Sequence, residues 1–290
     1  MSALDQLGIM LDPGHGPADH IGHDLRRAFS QPPRRAPRRN VRRLVTAGAL
    51  ATMLAAAVLV VQATGQPQAG AADVLNRAAA AAGREPELAA RPDQFVFSEW
   101  WGVVPDNQQV RYLRTWTSVD GRRPGELRYR VKGSTEWHAE PTPASGRPAY
   151  HDDLPTDPDA MLHFLYTHDI PICDGNNSCV PRGLEPAENM AFHVAGDLLR
   201  GYVTPKARAA LFQAAAKIPG TEVERDVLDA AGRSTIGVRL PDGDERGDWT
   251  ELLFDPKTYR YLGFRMSTGG KIGVTAIERV SITDRPGQLP

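Results

Sequence analysis

Cysteine is scarce in this chain: 290 residues contain two, Cys173 and Cys179. Zinc centres draw three or four ligands from Cys and His, so a lone close pair argues against one. The pair also lacks the Cys-x-x-Cys spacing of redox dithiols, because the turn-forming DGNNS stands between them. A short-loop disulfide in an oxidising compartment is the expectation for Cys173 and Cys179. Catalytic signatures are missing as well. There is no Gly-x-Ser-x-Gly, no glycine-rich phosphate loop and no His-Glu-x-x-His. Hydrolases with a nucleophile elbow, P-loop enzymes and zinc peptidases of the usual kind are thereby excluded. Charge of one sign is not in excess either: 34 Lys and Arg stand against 35 Asp and Glu, a net of -1. That balance leaves no global basic field for nucleic acid. Histidines are scattered: His15, His20 and His23 sit in a polar tail, and Asp159 and His163 lie one helical turn apart. Both groups lack a further ligand, so no metal is expected, and Asp159–His163 reads as a surface contact. Neither an enzyme activity nor a cofactor is expected.

What is present is asymmetric. Residues 1–43 hold eight Arg and four Asp, about +4, which leaves the remainder about -5. Leu44 to Ala63 (LVTAGALATMLAAAVLVVQA) carries no charge. At about 1.5 Å rise per residue it covers about 30 Å, the thickness of a bilayer's hydrocarbon core. Immediately before it stand Arg34, Arg35, Arg38, Arg39, Arg42 and Arg43. After it there is no Lys or Arg until Arg77. This contrast predicts a single transmembrane helix with the N-terminus cytoplasmic and the larger part outside the cell membrane. The same arginines suit anionic lipid head groups. Two rival readings stay open: a cleaved signal peptide ending near Ala69-Gly70-Ala71, and a twin-arginine export signal at Arg42-Arg43. The expected organisation is a largely disordered basic tail over 1–43, the span over 44–63, a juxtamembrane helix and connector over 64–93, and an extracytoplasmic domain over 94–290. Prolines 32, 33 and 37 exclude a continuous helix in the tail.

Outside the span, about 220 residues are enough for one good core. ADVLNRAAAAAG has helix composition and a glycine stop. From Gln94 to Glu140 the pattern alternates. Val110 and Tyr112 fall opposite Arg111 and Leu113, and Leu127, Tyr129 and Val131 fall opposite Arg128, Arg130 and Lys132. These segments read as an antiparallel meander with one buried and one wet face, turning at Asp120-Gly121 and continuing through STEWHAE. Three helices follow. The first starts at Thr156 or Asp157 with Pro158 in its first turn. The second breaks or frays near Gly196. The third is capped by Thr204 and ended by Pro219-Gly220. The last seventy residues return to hairpins, turning around Ala230–Arg233, at Asp255-Pro256 and at Gly269-Gly270. The order predicts an α+β fold: a curved, half-barrel-like antiparallel sheet with helices packed on one face.

The Arg-rich stretch and Ala-rich span, followed by AADVLNRAAAAA, RPDQFVF, LPTDPDAML, AALFQAAAKIPG and FDPKTYRYLG, together resemble a family of actinobacterial membrane-anchored proteins. That likeness covers nearly everything from residue 40 onward and brings no activity with it. More distantly, the element order and the strand–Asp-Pro-x-Thr–strand turn at Asp255, Pro256 and Thr258 are similar to lipoprotein-carrier and lipoprotein-sensor domains of the LolA and RseB type. This second resemblance implies a half-barrel over helices with an apolar cavity for acyl chains. Phe95, Phe97, Trp100, Trp101, Tyr112 and Trp116 are then the candidate cavity wall, with core packing as the plainer reading. Trp100 and Trp101 must face opposite sides of their strand. The expected function is a membrane-anchored, non-enzymatic protein that binds or senses an apolar ligand, a lipoprotein or an envelope partner. The alternative is a transmembrane regulator whose tail binds a cytoplasmic factor, as anti-sigma proteins do.

Overall fold

A computed structural model describes residues 70–290, apart from 105–106, 169–171, 174–178, 181–186, 241–248 and 269. The expected tail, its arginines and the 44–63 span lie outside the described residues. Among those residues no helix is long and apolar enough to cross a membrane.

Helix α1 (Ala71–Ala82) begins the described chain and stops at Gly83. Its buried residues Val74, Leu75, Ala78, Ala79 and Ala82 recur at helical spacing and form one apolar stripe. Strands β1 (Phe95–Val103), β2 (Val110–Ser118), β3 (Gly125–Val131) and β4 (His138–Thr142) make a first meander. The short β5 (Tyr150–His151) precedes α2 (Pro158–Thr167). The α2 start is local chemistry: Asp157 accepts from the backbone N–H of Asp159 at 3.1 Å and of Ala160 at 2.9 Å. Next come β6 (Ile172–Cys173), β7 (Cys179–Val180), α3 (Ala187–Leu198), β8 (Tyr202–Val203) and α4 (Pro205–Ala215). A second meander closes the chain: β9 (Glu222–Leu228), β10 (Ser234–Arg239), β11 (Trp249–Phe254), β12 (Tyr261–Thr268) and β13 (Lys271–Thr283).

The fold is α+β. Nine strands form one sheet in the order β4-β3-β2-β1-β13-β12-β11-β10-β9, every neighbour antiparallel. The first and last strands of the sheet sequence, β1 and β13, thus pair and join the two meanders. Register shifts at Glu99/Trp100, Thr235/Ile236 and Leu253/Phe254 interrupt the ladders, and such bulges increase local twist. The main core lies between the helices and β10–β11. Ile236, Val238, Leu252 and Phe254 meet Leu75 of α1, Leu165 of α2, Phe192 of α3 and Leu211 of α4 in one cluster.

Four local expectations are corrected. The helix expected to break or fray near Gly196 runs through it and ends at Leu198. A Cβ there would stand 2.7 Å from Thr250 Cγ2, so the missing side chain brings α3 close against β11. The strand expected over STEWHAE begins only at His138. The first meander, expected to have a wet face, is covered on both sides at β2, where Leu113 is 1% exposed and Trp116, pointing the opposite way, is 0% exposed, while β4 at its edge stays largely exposed. The outward cover is the chain's own C-terminal segment. Trp116 Nε1 donates to the Gln288 carbonyl at 2.6 Å, and Gly287, at φ +78°, passes against Arg128 and Glu126. Thr204 stands at the N-cap of α4, but its side chain makes no capping bond.

Candidate functional site

The strand alternation of β1 and β2 divides their residues between two faces. Register partners Phe97–Trp116, Glu99–Arg114 and Trp101–Tyr112 share one face, and Val96–Thr117, Ser98–Thr115 and Trp100–Leu113 share the other. The second face borders a cavity of about 520 Å³. Its floor is the sheet: Val96, Ser98 and Trp100 from β1, Thr115 and Thr117 from β2. Ile277 and Val280 of β13 and Phe264 of β12 extend it. The facing wall comes from the helical region: Phe164 and His168 at the end of α2, Asp197 and Leu198 at the end of α3, and the turn through Gly201. The connection from Ser145 to Leu154 completes it, with Arg147, His151 and Asp153.

His151 is positioned by backbone pairing. β5 runs parallel to β8, with Tyr150 opposite Tyr202 and His151 opposite Val203. Gly201 permits that approach: a Cβ there would lie 2.8 Å from the Ala149 carbonyl and 2.9 Å from His151 Nε2. The Tyr150 and Tyr202 rings stack at 5.0 Å. Their hydroxyls clasp Leu88: Tyr150 donates to its carbonyl at 2.6 Å, and Tyr202 accepts from its N–H at 2.7 Å. The connector after α1 is thereby tied to the cavity wall, and burial raises both phenol pKa values.

The electrostatics are concentrated in the helix-and-loop wall. Burial lowers the pKa of His151 below the ordinary histidine value, Asp153, Asp197 and Asp152 oppose that shift, and His168 adds to it. Arg200 Nη1 pairs with Asp197 at 3.3 Å, and its guanidinium lies over the Phe264 ring at 5.3 Å. Arg200 Nε is buried and has no hydrogen-bond partner among the described residues. Arg147 is exposed and makes no ion pair among them. The sheet floor carries no charge: it offers apolar surface and hydroxyls. No protein-family model matches this chain, and no curated protein matches it.

Of the six aromatics expected in the cavity wall, Trp100 lines it. Phe95, Phe97 and Trp116 form a separate buried cluster on the opposite face. Trp101 and Tyr112 meet at 4.7 Å with their rings tilted by 46° on that same face, with Lys132 over Trp101 and Arg130 over Tyr112. Cys173 and Cys179 are register partners in the β6–β7 ladder. Asp159, expected to contact His163, is paired with Lys217 Nζ at 2.5 Å. Among the described residues no group of three or more His, Cys, Asp or Glu is placed to hold a metal. Arg147, His151, Asp197 and Arg200 were not legible as site residues. The His-Asp-Asp run at 151–153 and the Arg-Gly pair at 200–201 were the available signals, and neither forms a motif by itself.

Proposed function

We propose that this protein is a membrane-anchored, extracytoplasmic binding protein, non-enzymatic, whose sheet curves as a half-barrel over the helices and holds an apolar ligand such as a lipid or the acyl part of a lipoprotein. The observation that carries this reading is the cavity of about 520 Å³ with an apolar sheet floor and charges confined to the opposite wall. Its size falls among the roughly 300–1,000 Å³ pockets that enclose one small ligand, and mixed apolar lining with a few convergent polar groups is their common chemistry. The likeness of element order to LolA- and RseB-type domains supports the same reading. The uncharged 44–63 stretch behind six arginines supports anchoring with the domain outside. A disulfide between Cys173 and Cys179 is part of this proposal, since such a bond forms and persists in an oxidising compartment.

Two measurements test it. Native mass spectrometry of the gently purified full chain should show one bound lipid. Replacing Ile277, on the cavity floor, by Trp should lower lipid occupancy by at least about tenfold, because the indole fills space the ligand needs. A wild-type chain that neither carries lipid nor takes it up when offered would remove the reading. Separately, protease added to intact cells should degrade the domain. If the domain survives there but is cut after lysis, the proposed orientation is wrong.

A further inference from the structure

We infer that the cavity takes an uncharged amphiphile with a hydroxylated or ester head, the head lying over Ser98, Thr115 and Thr117 and the hydrocarbon over Trp100, Ile277 and Phe264. This rests on the binding reading above and narrows it to a ligand class. Charge limits the ligand first. The lining holds two arginines and two aspartates, and these cancel: Arg200 pairs with Asp197 at 3.3 Å, and Arg147 and Asp153 are both exposed and keep their water. Burial holds His151 below the ordinary histidine pKa, so it is neutral at pH 7. A charged head moving onto the floor would lose its water and meet no net charge in exchange, which is costly.

The hydroxyls of the floor supply the polar contacts instead. Five Ser and Thr residues line the cavity, and two of them are engaged. Ser145 Oγ donates to the Arg147 carbonyl at 2.7 Å, and Thr275 Oγ1 accepts from the Phe264 N–H at 2.9 Å. The hydroxyls of Ser98, Thr115 and Thr117 make no hydrogen bond among the described residues, and none of these three residues is fully buried. They are also contiguous. Ser98 and Thr115 are register partners across β1 and β2, and Thr117 is the next residue on the same face, with about 5–7 Å between neighbours. A hydroxyl both donates and accepts, so the three match the oxygens of an alcohol or ester without selecting a charge. The floor is graded from strand to strand as well. β2 brings the threonines, whereas β13, on the other side of β1, sets Val280 opposite Ser98 and Ile277 opposite Trp100, and β12 adds Phe264. The threonine side lies toward the rim. The connection carrying exposed Arg147 is tied to the chain just after β2, where the Gly146 N–H donates to the Gly121 carbonyl at 2.9 Å. The head therefore sits at the rim and the hydrocarbon reaches inward. A monoacylglycerol and a single-chain glycolipid share that chemistry.

The test uses the full chain in discs of phosphatidylcholine, with empty discs as background. A dansyl-labelled monoacylglycerol serves as probe, read by energy transfer from tryptophan. It is displaced by 1-palmitoylglycerol, hexadecyl glucoside, hexadecanol, hexadecyl sulfate or hexadecyltrimethylammonium. The better of the glyceride and the glucoside identifies the source of the head. That ligand should compete at concentrations about tenfold below hexadecanol and below either ion, the gain of one or two neutral hydrogen bonds. Thr115→Val combined with Thr117→Val should abolish its preference over hexadecanol. Ser98→Ala, a smaller change on the neighbouring strand, should reduce that preference about threefold and decides the matter if the double variant does not fold. An ion of either sign competing as well as the glyceride and the glucoside, or a preference untouched by the variants, overturns the head-group assignment while leaving cavity binding standing. So does phosphatidylcholine found bound by native mass spectrometry in place of the probe. A wild-type chain that takes neither probe nor disc lipid overturns both.

Discussion

Between pH 5 and pH 8, the unfolding free energy of this domain is expected to fall by about 2–3 kcal/mol through Glu251 alone. Glu251 lies on β11 and is 0% exposed, and burial pushes its carboxyl up to about 7. Arg265 Nε donates to its Oε2 at 2.6 Å and pulls in the opposite direction, while Glu224 pushes further upward. Oε1 is buried without a partner among the described residues, and Gly237 across the ladder is what leaves it room. Because the folded-state pKa lies above the unfolded one, the folded protein holds the proton more tightly. The associated stability is complete below the ordinary glutamate pKa and is lost as pH rises through about 7. Urea titrations of wild type and Glu251→Gln across this range isolate the effect. The wild-type curve should drop relative to the variant by that amount as pH rises. His151, whose lowered pKa has the opposite sign and removes stability as pH falls, is common to both chains and cancels in the difference. Parallel curves would mean that Glu251 is already ionised at low pH and that its burial costs nothing in this window.

Truncating Phe254 to alanine should cost about 3–5 kcal/mol, the range for a large aromatic removed from a packed core. Phe254 is fully buried at the end of β11 and meets Phe212 of α4 edge-on, with ring centroids 5.3 Å apart at 78°. Tyr261 closes the group at 6.0 Å from Phe254. This contact joins helix to sheet, so the vacated space cannot be filled by one neighbour shifting alone. The denaturation midpoint should fall with the slope unchanged. A loss below about 1 kcal/mol would show that the helices close over the gap and that the aromatic group is not what holds them to the sheet.

The legible parts of this fold are those whose causes are close together in the chain. Asp157 ahead of Pro158 sets the start of α2 because its carboxylate reaches backbone N–H groups two and three residues on. Asp255 shapes its turn in the same manner, accepting from the N–H groups of Lys257 at 2.9 Å and Thr258 at 2.7 Å. Asp229 does so for the β9–β10 hairpin, bonding the N–H groups of Ala231 and Arg233. Gly196 misled because its effect is not local: glycine weakens a helix in isolation, but here it relieves a contact with Thr250 on β11.

The site was less legible for a related reason. Alternation separates Phe95, Phe97 and Trp101 from Val96, Ser98 and Trp100, but both sets are apolar enough to be buried. Periodicity alone therefore cannot say which set faces the helices. The more aromatic set faces away from them, where the C-terminal segment and a row of arginines cover it. The less aromatic set lines the cavity. His151 and Arg200 sit in short connections without any repeat, and they converge only because β5 and β8 pair in parallel.

The order of charged, apolar and alternating segments determined by itself the α+β class, most element positions and the turn chemistry, since each depends on neighbours a few residues away. It also set the expectation of an anchored chain, through an uncharged run behind arginines. The pairing of β1 with β13, the choice of face for each aromatic and the presence of a cavity were decided only by tertiary structure. These depend on contacts between residues far apart in the chain, where the same apolar side chain serves equally well as core, cover or cavity wall.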